Sequence, residues 1–175
     1  LAATGQADQA QAIYADLAKR TTFFGYLAAD QLGQPYAICP RAPVDDPQQQ
    51  QALLAQPGLQ RAFELFAVDL PKLARREWTH ALDGADERTQ VLAVQLADAR
   101  GWYDRAAFTL NHGEAMRYYA LRLPLDNRIG VVAQAEQAGI DPAWAYGILR
   151  AESAWTTDAR SGADARGLMQ LVPAT

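Results

Sequence analysis

Glu152 is the residue of this 175-residue chain best placed for acid–base chemistry. Ala145, Ile148, Leu149 and Glu152 recur at i, i+3, i+4 and i+7, which sets the carboxyl on the apolar stripe of its own helix. Burial disfavours a charged carboxylate, so this placement predicts a raised pKa and an acid able to deliver a proton near neutral pH. The structural alternative is a fraying last turn in which Glu152 pairs with Arg160 or water. Asp158 and Asp164 are close in the chain, but nothing in the sequence sets either across a cleft from Glu152, and both read as loop or cap residues. His80 and His112 are too few and too far apart for a metal centre, and Cys39 has no second cysteine for a disulfide or zinc site. No cofactor or metal is expected.

The elements that must position Glu152 are helices. Alanine, leucine and glutamine dominate, β-branched residues are sparse, and no stretch alternates apolar with polar for long. Helical patterns fall at about 6–19, 22–32, 47–56, 58–67, 70–82, 86–99, 102–111, 113–122, 126–138 and 142–154. Asp46-Pro47 and Asp141-Pro142 each place a capping side chain before a proline at the first helical position. Gly84 and Gly139 sit where helices end. Val91, Leu92, Val94 and Leu96 give the 86–99 helix an apolar face broad enough to need partners on more than one side. Pro40 and Pro43 make 37–46 a loop, and Cys39 reads as a plain small residue within it. Short helices with short connections predict antiparallel hairpins stacked in sequence, an all-α fold compatible with either a solenoid or an irregular bundle.

Composition excludes whole classes of function. Half the residues are apolar or aromatic and 21% are charged, which is ordinary globular composition. A net charge of -4 lacks the basic footprint of a nucleic-acid binder. The sequence has no run of about 18 apolar residues of the kind that could span a bilayer. The chain opens on Leu1 and stops at Val172-Pro173-Ala174-Thr175, which reads as an excised piece of a larger protein. Trp78, Trp102, Tyr103, Tyr118 and Tyr119 sit at helical spacing and are expected in the packing between helices. Met169 is likewise expected in the core.

The residues from Glu152 onward carry a longer pattern. Glu152-Ser153-Ala154-Trp155, then Ser161, then Ala165-Arg166-Gly167-Leu168-Met169-Gln170 and Pro173-Ala174-Thr175 resemble the signature of the soluble lytic transglycosylases, whose catalytic domain is similar to goose-type lysozyme. Ile140-Asp141-Pro142 leading into Ile148-Leu149-Arg150-Ala151-Glu152 resembles the helix that carries the family's catalytic glutamate. Phe24-Gly25-Tyr26-Leu27-Ala28-Ala29-Asp30 and Ala74-Arg75-Arg76-Glu77-Trp78 resemble the superhelical and linker regions of the large periplasmic members. Two positions depart from the pattern: its first glycine is Asp164 here, and the methionine two places after the glutamine is Val172. Asp tolerates less well the backbone angles that Gly permits, so the first departure bears on the turn. The second bears on one substrate contact.

The resemblance implies stacked helical hairpins followed by the N-terminal part of a lysozyme-like domain. Residues 1–52 would end an α-superhelix, 53–123 form a helical linker domain, and 124–175 open a catalytic domain that continues further in the family. It implies a periplasmic enzyme acting on peptidoglycan glycan strands. Glu152 would protonate the glycosidic oxygen between N-acetylmuramic acid and N-acetylglucosamine, then act as base for the muramic 6-hydroxyl, closing a 1,6-anhydro ring. Substrate-assisted chemistry of this kind dispenses with a second carboxylate. Ser161 and Gln170 would line the saccharide groove, against the structural alternatives of a helix cap and a satisfied core amide. Trp155 would anchor the turn after the catalytic helix. A muramidase-type hydrolase, a helical-repeat scaffold and a non-catalytic saccharide-binding module are the rival readings. The piece by itself is expected to have little or no activity.

Overall fold

The computed structural model describes residues 6–125 and 130–173. The expected start of the helix at 126–138, its residues 126–129, lies outside them, as do Ala174 and Thr175 of the Pro-x-Thr motif. The described residues form helices and no β-strand. The chain divides into two compact units, Leu1–Pro40 and Arg41–Thr175.

The first unit is a helical hairpin of α1 (Ala7–Leu17) and α2 (Phe23–Leu32). Thr22 caps α2 by accepting from the Gly25 amide at 3.1 Å. Gly33 ends the helix in the left-handed region at φ 61°. Ala18, Ala28 and Ala29 are buried with Tyr14, Leu17 and Leu32 around them. Small residues here let the helices approach closely, and Gly25 is the extreme case. A Cβ at that position would lie 2.0 Å from the Arg20 carbonyl oxygen.

The second unit runs through α3 (Pro47–Leu54), α4 (Pro57–Ala67), α5 (Pro71–Ala81), α6 (Glu87–Asp98), α7 (Asp104–Thr109), α8 (Tyr119–Arg122), α9 (Val131–Gln137) and α10 (Pro142–Glu152). Proline supplies the first residue of α3, α4, α5 and α10, where its missing N–H has no helical partner to lose. Asp46 and Asp141 cap α3 and α10 as their sequence context predicts. The expected helix over 113–122 is instead a 3₁₀ turn at Gly113–Arg117 followed by the single turn of α8. Gly113 at φ 56° and Tyr118 at ψ 62° interrupt its backbone.

Helix α6 is the axis of this unit. Val91, Leu92, Ala93, Val94, Leu96 and Ala97 are all buried, so the helix is covered from several sides as its broad apolar face requires. Phe63, Trp78 and Trp102 pack edge to face beside it, and Phe66 stacks on Trp102 at 4.7 Å between ring centres. Trp78, Trp102 and Tyr118 are buried core residues, as expected. The loop before α3 is held to α6 by Gln95, whose amide accepts from the Val44 N–H at 3.1 Å and donates to the Val44 carbonyl at 2.9 Å.

Candidate active site

Helices α9 and α10 form the support. Gly139 at φ 68° closes α9 and turns the chain into α10, with the Ile140 amide bonded to the Ala135 carbonyl at 2.9 Å. Tyr146 and Leu149 are buried on the inner face of α10, and Trp155 joins them beyond its end. Tyr103, Val131, Val132 and Leu168 pack around this cluster. On the same side, Tyr146, Gly147, Arg150 and Trp155 line a cavity of about 410 Å³ shared with Leu123, Leu125 and Val132.

Glu152 is the last helical residue and its side chain is exposed. The expected burial on the apolar stripe is therefore corrected. The inner face of α10 follows Tyr146, Leu149 and Ser153, with Ala145 and Ile148 half-buried on its flank. One residue is a 100° rotation of a helix, and that step carries Glu152 off the buried face. The alternative pairing with Arg160 is also absent, because Arg160 bonds Asp164. Glu152 makes no hydrogen bond or ion pair with a described residue.

The chain after Glu152 turns through unusual backbone. Ala154 and Trp155 lie in the left-handed region at φ 48° and 63°, with Asp164 at 62° and Gln170 at 47° further on. Each such non-glycine residue costs on the order of 1–3 kcal/mol and persists only where its surroundings over-determine it. Three sets of contacts do that here. The Ser153 hydroxyl donates back to the Leu149 carbonyl at 3.3 Å, and the Ala154 amide bonds the same oxygen at 3.2 Å. Trp155 is only 5% exposed within the α10 cluster. Thr156 then donates to Asp104 at 3.5 Å, while Asp158 receives both Arg75 contacts, at 2.8 and 2.6 Å. Trp155 anchors the turn as the sequence suggests, although its buried indole N–H has no partner among the described residues.

The Arg75 guanidinium also reaches Asp104 at 3.2 Å, and Arg105 bonds the other oxygen of that carboxylate at 2.7 Å. Asp104 and Arg105 are 3% and 4% exposed. The hydrogen bonds from Arg75 hold the Asp158 carboxyl below the usual carboxylate range, against a partial desolvation that raises it. Asp164 is held low in the same way, by Arg166 first and by Arg160. Both acids serve the loop, in keeping with their sequence reading.

Ser161 and Gln170 lie in the loop beyond this turn. The Ser161 hydroxyl accepts from the amides of Ala163 and Ala165 at 3.2 and 3.1 Å, fastening a turn rather than capping a helix. Gln170 donates to the carbonyls of Ala159 and Gly167 at 3.1 and 2.9 Å. The Ala159 carbonyl also takes the Gly167 amide at 2.9 Å, so one oxygen joins the two ends of the loop. No hydrogen bond links Glu152 to Ser161 or to Gln170. Met169, expected in the core, is 38% exposed, because Gly167–Gln170 form turns rather than a helix with an inner face. Among the described residues no three His, Cys, Asp or Glu side chains cluster as metal ligands would. The Arg75, Asp104 and Asp158 group was not legible beforehand: only Ala74-Arg75-Arg76-Glu77-Trp78 stood out, and its partners lie 29 and 83 residues away.

Comparison with known proteins covers nearly the whole chain. The family model described as the soluble lytic murein transglycosylase L domain matches residues 48–118, and the transglycosylase SLT domain matches residues 131–175. A Haemophilus influenzae protein described as a soluble lytic murein transglycosylase is 34% identical over 91% of this chain and 27% of its own length. The lytic transglycosylase Slt of Pseudomonas aeruginosa, solved as an inactive mutant, superposes with a TM-score of 0.82 at 36% identity, over 94% of this chain and 27% of that one. The 70 kDa soluble lytic transglycosylase of Escherichia coli gives 0.86 at 26% identity over 98% of this chain and 28% of that one, and a 70 kDa soluble lytic transglycosylase in complex with bulgecin A gives 0.87 at 25% identity over 98% of this chain and 27% of that one. The chain thus spans about a quarter of the length of these relatives.

Proposed function

Because the chain belongs to the soluble lytic murein transglycosylase family, we propose that it is part of a longer periplasmic enzyme that cleaves the β-1,4 bond between N-acetylmuramic acid and N-acetylglucosamine in peptidoglycan. Residues 1–52 end a superhelix, 53–123 are a linker domain and 124–175 open the catalytic domain. Glu152 is the acid and then the base. It protonates the glycosidic oxygen as the bond to the anomeric carbon breaks, and the substrate's acetamido group stabilises the developing cation. The resulting carboxylate takes the proton of the muramic 6-hydroxyl as that oxygen closes onto the anomeric carbon. A 1,6-anhydro sugar forms, no water is consumed, and Glu152 is regenerated as the acid.

The observation that carries this reading is the state of the three carboxylates at and beyond the end of α10. Asp158 and Asp164 are engaged by arginines, and Glu152 is exposed, with no partner among the described residues, at the end of a helix backed by a strained turn. A two-carboxylate glycosidase needs a second acid facing the first across the scissile bond. A single free acid fits intramolecular attack by the sugar's own hydroxyl. Ser161 and Gln170 belong to the groove wall, Ser161 beside the acetamido group. Their structural bonds fix the loop, while the Gln170 side-chain carbonyl and the Ser161 hydroxyl proton, which meet no partner among the described residues, are available to saccharide. A general acid working near neutral pH needs desolvation, and Glu152 acquires it only when saccharide or further protein covers it.

Product analysis tests the reaction. Purified peptidoglycan is digested with the chain extended through the rest of its reading frame, and the muropeptides are weighed by mass spectrometry. Products lighter by one water than hydrolysis gives, with no reducing end, are expected. Reducing ends instead would establish a muramidase-type hydrolase. The absence of any product would favour a saccharide-binding or scaffolding module.

A further inference from the structure

We propose that Arg75, on linker helix α5, is a positioning residue for Glu152, holding through Asp158 and Asp104 the turn that fixes the end of α10. The inference rests on the assignment of Glu152 as the acid. Glu152 is the last residue of its helix, where helices fray unless the chain beyond them is fixed. Two residues further on, Ala154 and Trp155 are consecutive left-handed non-glycine residues, a conformation that must be imposed from outside.

Among the described residues, the ionic contact on the segment just after them comes from Arg75, whose Nη2 meets both oxygens of Asp158 while Nη1 reaches Asp104. Asp104 in turn accepts the Thr156 hydroxyl and Arg105. Asp104 and Arg105 are almost fully buried. A buried ionic group is weak evidence for stability, since packed apolar residues serve as well, and the role inferred for this one is to hold one geometry through its directional bonds. The geometry held here spans the family-matched linker and catalytic segments. Through the Ala159 carbonyl it continues to Gly167 and Gln170, so one arginine steadies Glu152 and the loop carrying Ser161 and Gln170.

The test uses the extended protein with soluble glycan fragments of defined length. Arg75→Gln and Asp158→Asn each lower kcat by roughly ten- to hundredfold, the loss expected of a misplaced acid, with KM within about twofold. The double variant is no worse than the poorer single one, because both remove the same bond. Arg75→Lys, which keeps the charge and one contact, recovers part of the loss. In the 175-residue chain, Arg75→Gln speeds amide hydrogen exchange at Thr156 and Ala159 and leaves α6 unchanged. Circular dichroism confirms folding, and if Arg75→Gln fails to fold, the loop variant Asp158→Asn decides. Normal kcat, a rise confined to KM, additive losses, or unchanged exchange at Thr156 and Ala159 would each overturn the proposal. A wild-type extended protein that is itself inactive sinks the assignment of Glu152 and this inference together. An active one with unaffected variants sinks the positioning role alone.

Discussion

Asp158 owes its low pKa to the guanidinium of Arg75, and this gives the loop a pH dependence of definite sign. Its folded value lies below the ordinary 3.8, so the stabilisation is fully present above that value and is lost as pH falls through the folded value. Arg75→Gln is expected to move the Asp158 midpoint up toward 3.8, read from its carboxyl carbon by NMR titration. Asp164 makes a second test. It occupies the position where the family pattern has glycine, and it sits at φ 62°, so the conformational demand was legible in the sequence. Its pairing with both Arg160 and Arg166 was not, since a spacing of four and of two in a loop fixes no geometry. Asp164→Ala and Asp164→Gly both lose the arginine partners, but only alanine keeps a strained angle, so Asp164→Ala should be less stable than Asp164→Gly by about 1 kcal/mol in denaturant unfolding. Equal stability of the two would show that the left-handed backbone is not maintained there.

At the scale of elements, periodicity found the helices and misjudged one face. The wide apolar face of 86–99 became the buried α6, and the Asp-Pro pairs became caps, because both signals are local. Leu92, fully buried on α6, should lose about 2–5 kcal/mol on substitution by alanine, measured by chemical denaturation. In α10 apolar residues occur nearly all round, Trp144 among them at 62% exposure. Two stripes one residue apart were then equally good in the sequence, and only the packing of Tyr146 and Leu149 against α9 and Trp155 selects between them. Glu152 leaves the core for that reason. The 113–122 segment failed as one helix because Gly113 and Tyr118 take turn angles that composition does not announce. In the α1–α2 hairpin the test is steric. Gly25→Ala puts a methyl 2.0 Å from the Arg20 carbonyl, and the hairpin should lose about 1–3 kcal/mol. Local hydrogen exchange across α1 and α2 would register the loss, and unchanged protection would contradict the close approach.

For the whole molecule, the sequence carried the family further than the fold could. The motif from Glu152 to Gln170 is a set of turn-forming residues whose spacing reflects one loop geometry, which is why it is legible without coordinates. Desolvation of Glu152 is a different matter, since the described residues leave the acid exposed and the chain spans about a quarter of its relatives. The 175-residue chain is therefore expected to release little or no product from peptidoglycan, whereas the extended protein should be active. Everything else depends on one carboxyl acting as acid and then as base. Digestion of purified peptidoglycan by the extended protein and by its Glu152→Gln form, with products weighed by mass spectrometry, decides that point. Anhydro-ended muropeptides from the first and none from the folded variant are predicted. Anhydro products from the Glu152→Gln form at the wild-type rate would overturn the role of Glu152.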